Sequence, residues 1–318
     1  MSIEEDVKAI ATPHGREVGT PGHNHAKEYI VHRLRVIGVV PYLSEGLKCE
    51  YDHGGTRFCN VIGIVPGIDG SASPILLGAH YDTCGRFPGA DDNAAAVAVL
   101  LNVAEQITHQ PLKRSVVFAF FDAEEPPYFL TESMGSIRFY EDQKRTDFHC
   151  GIIMDLVGHD VPVPGLEDVL FIMGMESDQG LGDAISSCPI PPTLRMLPTL
   201  SRYVGDMSEH HIFRQEQVPY LFLSCGMWTH YHQATDTPER LNYVKIEAIS
   251  KYLAMLTSAV SANQLSGPFE GYDSTSIEIG YIERVLYPVM TQIGLPIQVK
   301  GRRDIDQLVD IFMGQLGL

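Results

Sequence analysis

Four short, almost wholly apolar runs each stop at a polar side chain, and no other feature of this chain restricts its fold as much. They are residues 74–79, 115–121, 151–154 and 218–223. Runs this short, apolar on both alternating faces, read as strands buried on both sides of a sheet. A fifth candidate covers residues 60–65. Helical stretches are expected at 3–10, 23–36, 94–104, 132–142, 181–187, 208–213 and 244–260. In the second of these, Ala26, Ile30 and Leu34 share one face. The stretch 94–104 is apolar all round, so it is expected inside, against the sheet. Strands alternating with helices predict α/β architecture: a single domain with a mostly parallel, mixed central sheet covered by helices on both faces. Around residues 266–271 the texture turns to Gly, Pro and small polar side chains. The expected division is a main domain over 1–265 and a C-terminal helical appendage over 266–318, with two helices after Thr275. A fold of roughly 45 residues is marginal alone, so the appendage should pack on the main domain or on a partner subunit, which leaves a homo-oligomer open.

Composition removes several function classes. Lys plus Arg number 23 against 40 for Asp plus Glu, a formal charge of -17. That field repels phosphate backbones and argues against nucleic acid as a partner. No apolar run approaches the ~18 residues of a membrane span. Met1 to Val7 is acidic and polar, unlike a secretory leader, so the expected location is cytoplasmic, or outside the cell if a leader has been trimmed. Six scattered cysteines, with no C-x-x-C pair, suit a reducing compartment.

The chemistry gathers where the strands stop, as it does in open α/β sheets. The first run leads into His80-Tyr81-Asp82, the second into Asp122-Ala123-Glu124-Glu125, and the third into Asp155. The fourth leads to a loop carrying His230-Tyr231-His232, and Gly89-Ala90-Asp91-Asp92-Asn93 opens the apolar helix. Singly, such residues are ordinary caps and surface acids. Together they are harder to dismiss. Glu124 and Glu125 follow a very apolar strand, unpaired buried carboxylates are costly, and Lys and Arg are scarce nearby in sequence. Divalent cations would neutralise the group. Two His, three carboxylates and one further Glu exceed what one open catalytic zinc needs. They suit two metals sharing a bridging carboxylate. Asp82, two residues past His80, can accept its imidazole N–H and fix its tautomer.

These motifs, with Tyr231-His232-x-x-x-Asp236-Thr237 and Gly19-Thr20-Pro21-Gly22, resemble the co-catalytic two-zinc exopeptidases of the bacterial leucyl aminopeptidase type (metallopeptidase family twenty-eight). The likeness runs from about Arg16 to Ala262. It implies two Zn²⁺ per chain, with Asp92 bridging them and a cis peptide after it. His80 and Asp155 would complete one zinc, and Glu125 and His232 the other. Glu124 would be the general base, Tyr231 would donate to the oxyanion, and a water or hydroxide between the metals would be the nucleophile. The implied substrate is a peptide or aminoacyl compound with an apolar N-terminal residue.

This chain has Ser208-Glu209-His210 where the family often has Ser-Asp-His, and a stiff Pro126-Pro127-Tyr128-Phe129 loop that is either a specificity wall or a packed turn. Cys84 and Cys225 are expected to be buried spectators, and His159 and His230 supporting or surface residues. A carboxypeptidase remains open, although no basic cluster announces a carboxylate pocket. So does a glutaminyl cyclase with one working zinc, although such cyclases carry Trp where this chain has Tyr231. A non-enzymatic receptor or scaffold relative would usually lack some of the ligands.

Overall fold

Residues 1–42, 44–143, 147–269, 271–292 and 298–316 are described by a computed structural model. Helices α1 (Ile3–Ile10) and α2 (Pro21–Ile37) come first, then strands β1 (Val40–Pro41), β2 (Lys48–His53), β3 (Thr56–Val65) and β4 (Ile75–His80). Next come α3 (Ala95–His109), β5 (Val116–Phe121), α4 (Gly135–Asp142), β6 (Cys150–Met154), β7 (Val169–Met173) and α5 (Gln179–Ser187). Strand β8 (Arg195–Pro198), α6 (His210–Gln215), β9 (Tyr220–Ser224) and α7 (Tyr243–Ala262) complete the part that carries the motifs. Then follow α8 (Thr275–Val285), α9 (Tyr287–Gln292) and α10 (Arg302–Leu316).

Local chemistry sets several of these boundaries. Thr20 caps α2 by accepting from the His23 N–H, Pro21 fits its first turn, and Gly38 at φ 91° ends it in the left-handed region. The sheet runs β1-β3-β5-β4-β6-β9-β7-β8, with β2 also on β3. Its centre, β5-β4-β6-β9, is parallel. Its flanks are mixed: β3 is antiparallel to β5 and β7 to β9, while the outermost β8 runs parallel to β7. The parallel centre brings the carboxyl ends of β4, β5, β6 and β9 to one edge. Side chains far apart in sequence therefore leave the sheet side by side.

Both faces are covered. On one, Ala26, Ile30 and Leu34 of α2 are buried with α3, whose residues from Ala95 to Leu101 are all buried, and with α7. On the other, Phe121 meets Phe139 of α4, and Phe213 of α6 packs edge-on against Phe148. Strands β1, β2, β7 and β8 lie outside the sequence expectation. The first and last are two and four residues long, at the sheet's flanks, where alternation has no room to show. Beyond residue 266 there are three helices among the described residues, not two. They pack on the chain's own domain: Ile282, Leu286, Ile305 and Leu308 join the core that holds α5 and α7. All six cysteines are free. No helix among the described residues is long and apolar enough to cross a membrane.

Candidate metal centre

Three strand ends and two loops deliver the expected residues to one place. His80 is the last residue of β4, Glu124 and Glu125 follow β5 after a turn, and Asp155 follows β6 directly. Asp92 sits in a kinked turn before α3, and its peptide bond to Asn93 is cis. His232 arrives on the loop after β9. Ala123, Leu156 and His232 all have φ between 53° and 57°, left-handed values that side chains seldom adopt. Backbone strain thus collects where the chain must turn to aim these groups.

Asp92 divides the cluster in two. Its Oδ1 lies 3.3 Å from His80 Nε2, which is 3.5 Å from Asp155 Oδ1. Its Oδ2 lies 3.2 Å from His232 Nε2, which is 3.0 Å from Glu125 Oε2. Donors sharing a tetrahedral ion with bonds of ~2.0–2.2 Å stand about 3.3–3.6 Å apart. These contacts are close but are not directed as hydrogen bonds. His80 Nε2, Asp155 Oδ1, Glu125 Oε1 and His232 Nε2 are buried with no hydrogen-bond partner among the described residues. A polar atom without a partner is costly inside a protein, and a bound cation removes that cost. The donor set therefore fits metal.

The charges point the same way. Burial drives the Glu124 carboxyl well above its usual range, with Glu209 and Asp155 adding to the rise against the pull of His80. Burial, helped by Asp92, pushes Glu125 up to about 8. Burial depresses His232, but Asp92 and Glu125 outweigh it and raise the imidazole to about 10. Without a cation, the cluster holds protons instead.

The family model for peptidase family M28 matches residues 60–257. The chain belongs to this family. Among relatives, the Escherichia coli K12 protein YfbL is 26% identical over 225 residues, covering 61% of this chain and 69% of YfbL. A glutaminyl-peptide cyclotransferase of Drosophila melanogaster is 32% identical over 138 residues, covering 39% of this chain but 37% of the cyclotransferase. A Zn-dependent exopeptidase from Parabacteroides distasonis superposes with a TM-score of 0.63 at 18% identity, over 82% of this chain and 97% of that one.

Around the cluster, this M28 chain departs from the sequence expectation in places. Asp82 does stand beside His80, but its Oδ1 is 3.4 Å from Nδ1, longer than a hydrogen bond. Its directed contacts are with backbone: it accepts from the N–H groups of Glu124 (3.1 Å) and Glu125 (3.0 Å). Asp82 thus ties His80 to the turn bearing both glutamates. Asp236 does the same for the other turn, accepting from the N–H groups of Asp91 and Asp92 at 2.9 and 3.1 Å. Asp91 points away from the cluster, to His159 Nδ1 at 2.6 Å, and the ring of His159 stacks on Trp228. His230 is half-buried and bonded to Thr235. Glu209 is fully buried, accepts from Ser208 at 2.5 Å, and is pushed up to about 7 by burial. Tyr231 stacks on the His232 ring at 3.8 Å, and burial raises its phenol, so it remains a donor. Cys225 is buried, but Cys84 is half-buried, with its thiol near Glu125 and His232. Tyr128 packs edge-on against Phe58, while Pro126 and Pro127 are exposed.

The fold brings to the cluster a basic residue that is distant from it in sequence. Arg16 is completely buried under the Asp92 turn. It donates to Tyr81 O and Pro88 O at 2.6 Å each, to Gly89 O at 2.9 Å and to Asp92 O at 3.2 Å. Burial lowers its pKa to about 10, so it is charged at neutral pH. Gly89 leaves the room: at φ +58°, an added Cβ would sit 2.3 Å from Asp92 O and 2.9 Å from Arg16 Nη2.

Proposed function

We propose that this chain is an aminopeptidase that hydrolyses the N-terminal residue of peptides or aminoacyl amides with two zinc ions. The observation that carries the reading is Asp92, whose two carboxylate oxygens face two separate donor groups. His80 and Asp155 would complete one zinc site, and Glu125 and His232 the other. When bound, zinc lowers the pKa of water toward neutrality and polarises a scissile carbonyl. Glu124 is not among the nearest donors of either group, being 3.9 Å from His80 Nε2. It is the general base, taking a proton from the attacking water and returning it to the leaving amine. Tyr231 donates from its phenol to the oxyanion. Asp82 and Asp236 hold the turns that aim these groups. The surplus of carboxylates also suits a substrate ammonium better than a substrate carboxylate.

A second reading, glutaminyl cyclisation, is favoured by the match to the Drosophila cyclotransferase. One panel separates the two: aminoacyl amides beside peptides with N-terminal glutamine, using zinc-loaded protein. Release of free amino acids without pyroglutamate supports the proposal. Pyroglutamate with no released amino acid replaces it by the second reading.

A further inference from the structure

A cavity of about 220 Å³ opens beside the metal centre, with Asp155 and Tyr231 in its lining. Its mouth carries Met207 and Met227, exposed at 47% and 42%. Met173, Phe171 and Phe222 of the sheet line it further in. The opposite wall is the C-terminal segment: Ile282 of α8, Leu286, and Ile305, Leu308, Val309 and Phe312 of α10. All of these lie beyond residue 257, where the match to the family model ends. None of the described lining residues is Lys or Arg.

The wall is fixed in place. Glu278, fully buried on the cavity side of α8, accepts from Arg302 Nη1 at 2.9 Å and again from Nη2. At the start of α10, Asp306 accepts from Arg202 at 2.5 Å and from the Tyr203 hydroxyl. These ion pairs bind α8 and α10 to each other and to the turn Ser201–Tyr203. The Glu278 carboxylate is thereby committed, so the one acid of the wall is not free to meet a ligand.

A dry cavity of ~150 Å³ lined by Leu, Ile and Phe holds a benzene ring. This one is larger, has no cation for a carboxylate, and is continuous with the centre at Asp155 and Tyr231. We infer that the C-terminal segment is the specificity-determining wall of the substrate pocket, and that the pocket takes a large aromatic side chain on the residue whose carbonyl is attacked. This deepens the aminopeptidase reading and rests on it. Each apolar group gained or lost in such a pocket changes selectivity by about 10–200-fold, so wall residues should set preference steeply.

The test is titration of the zinc-loaded full chain with phenylalanine, tryptophan and alanine hydroxamates, which bind through metal and require no turnover. Phenylalanine hydroxamate should bind at least ~10-fold more tightly than alanine hydroxamate. Leu308→Trp, which fills the cavity, should lower that ratio at least ~10-fold. Phe312→Ala, which enlarges the cavity and leaves a milder gap, should move the preference from phenylalanine toward tryptophan by ~3-fold or more. If Leu308→Trp fails to fold, Phe312→Ala decides. An unchanged ratio in a folded variant overturns the inference, and so does equal affinity of the wild type for phenylalanine and alanine hydroxamates. The hydroxamate ratios are independent of turnover. Absence of amino acid release from any amide would therefore sink the aminopeptidase reading without altering this result.

Discussion

Replacing Arg16 by Met should leave stability nearly intact while weakening metal binding, because two large effects on folding oppose each other. The variant removes donors from four backbone carbonyls. Gly89 O keeps the Ala94 N–H at 3.2 Å, so at the low end of the usual penalty, ~1 kcal/mol per buried unsatisfied group, the loss is about 3 kcal/mol. It also removes a fully buried guanidinium. A fall in pKa from 12.5 to about 10 measures how poorly the site tolerates that charge. At 1.36 kcal/mol per pH unit this is roughly 3 kcal/mol, recovered when the charge is gone. The two figures nearly cancel, so the Tm of the metal-free chain should shift by a few degrees at most. The lost bonds, however, fall on the backbone at residues 81 and 88–92, which carries Asp92. Loss of such supporting contacts typically lowers metal affinity ~10–100-fold. Calorimetric melting of the metal-free protein and zinc titration against a competing chelator give the two numbers. Wild-type zinc affinity in Arg16→Met, together with a large drop in Tm, would instead make Arg16 a purely structural residue.

Other outcomes follow from the same geometry. Glu124→Gln should keep its metals and lose ~10²–10⁴-fold in kcat, since the amide cannot accept a proton; near-normal turnover in a zinc-replete variant would remove its role as base. Tyr231→Phe should lower kcat by ~10²–10³-fold with a smaller change in KM, read by steady-state kinetics on a leucyl or phenylalanyl amide. Zinc uptake should be proton-coupled. Without metal, the His232–Glu125 pair holds a proton at pH 7, since each carboxylate beside His232 raises the imidazole, and ligands must lose protons to bind. Apparent affinity should therefore rise with pH above 7, and zinc added at pH 7 in weak buffer should release at least one proton per chain. Uptake without proton release would contradict that charge assignment.

Most of the candidate metal-binding residues were legible in the sequence because they stand at or after the abrupt end of an apolar strand, and a parallel sheet collects such ends on one edge; Asp92 instead opens the apolar helix. Their supports were less so. Asp82 was visible as a neighbour of His80, but its bonds to the Glu124 and Glu125 amides depend on β4 lying beside β5, which alternation along one strand does not reveal. Arg16 sits in a polar loop 76 residues before Asp92. No periodicity marks it, and only the fold brings its guanidinium beneath the turn. The C-terminal wall was hidden for a similar reason. Ile282 and Leu308 read as one side of amphipathic helices, and the sequence does not say which surface that side covers. Strand β7, Val-Leu-Phe-Ile-Met, is a short apolar run like the others, but no metal-competent motif follows it to set it apart. The four residues of β8 offered no such signal.

Whether Asp92 serves two metal positions at once can be read by elemental analysis of the full chain after saturation with zinc and removal of excess, with Asp92→Ala and His80→Ala measured alongside. The wild type should hold about two zinc ions per chain, Asp92→Ala should lose both, and His80→Ala should lose mainly one. A single zinc per wild-type chain, or two firmly held by Asp92→Ala, would contradict the bridging role of Asp92.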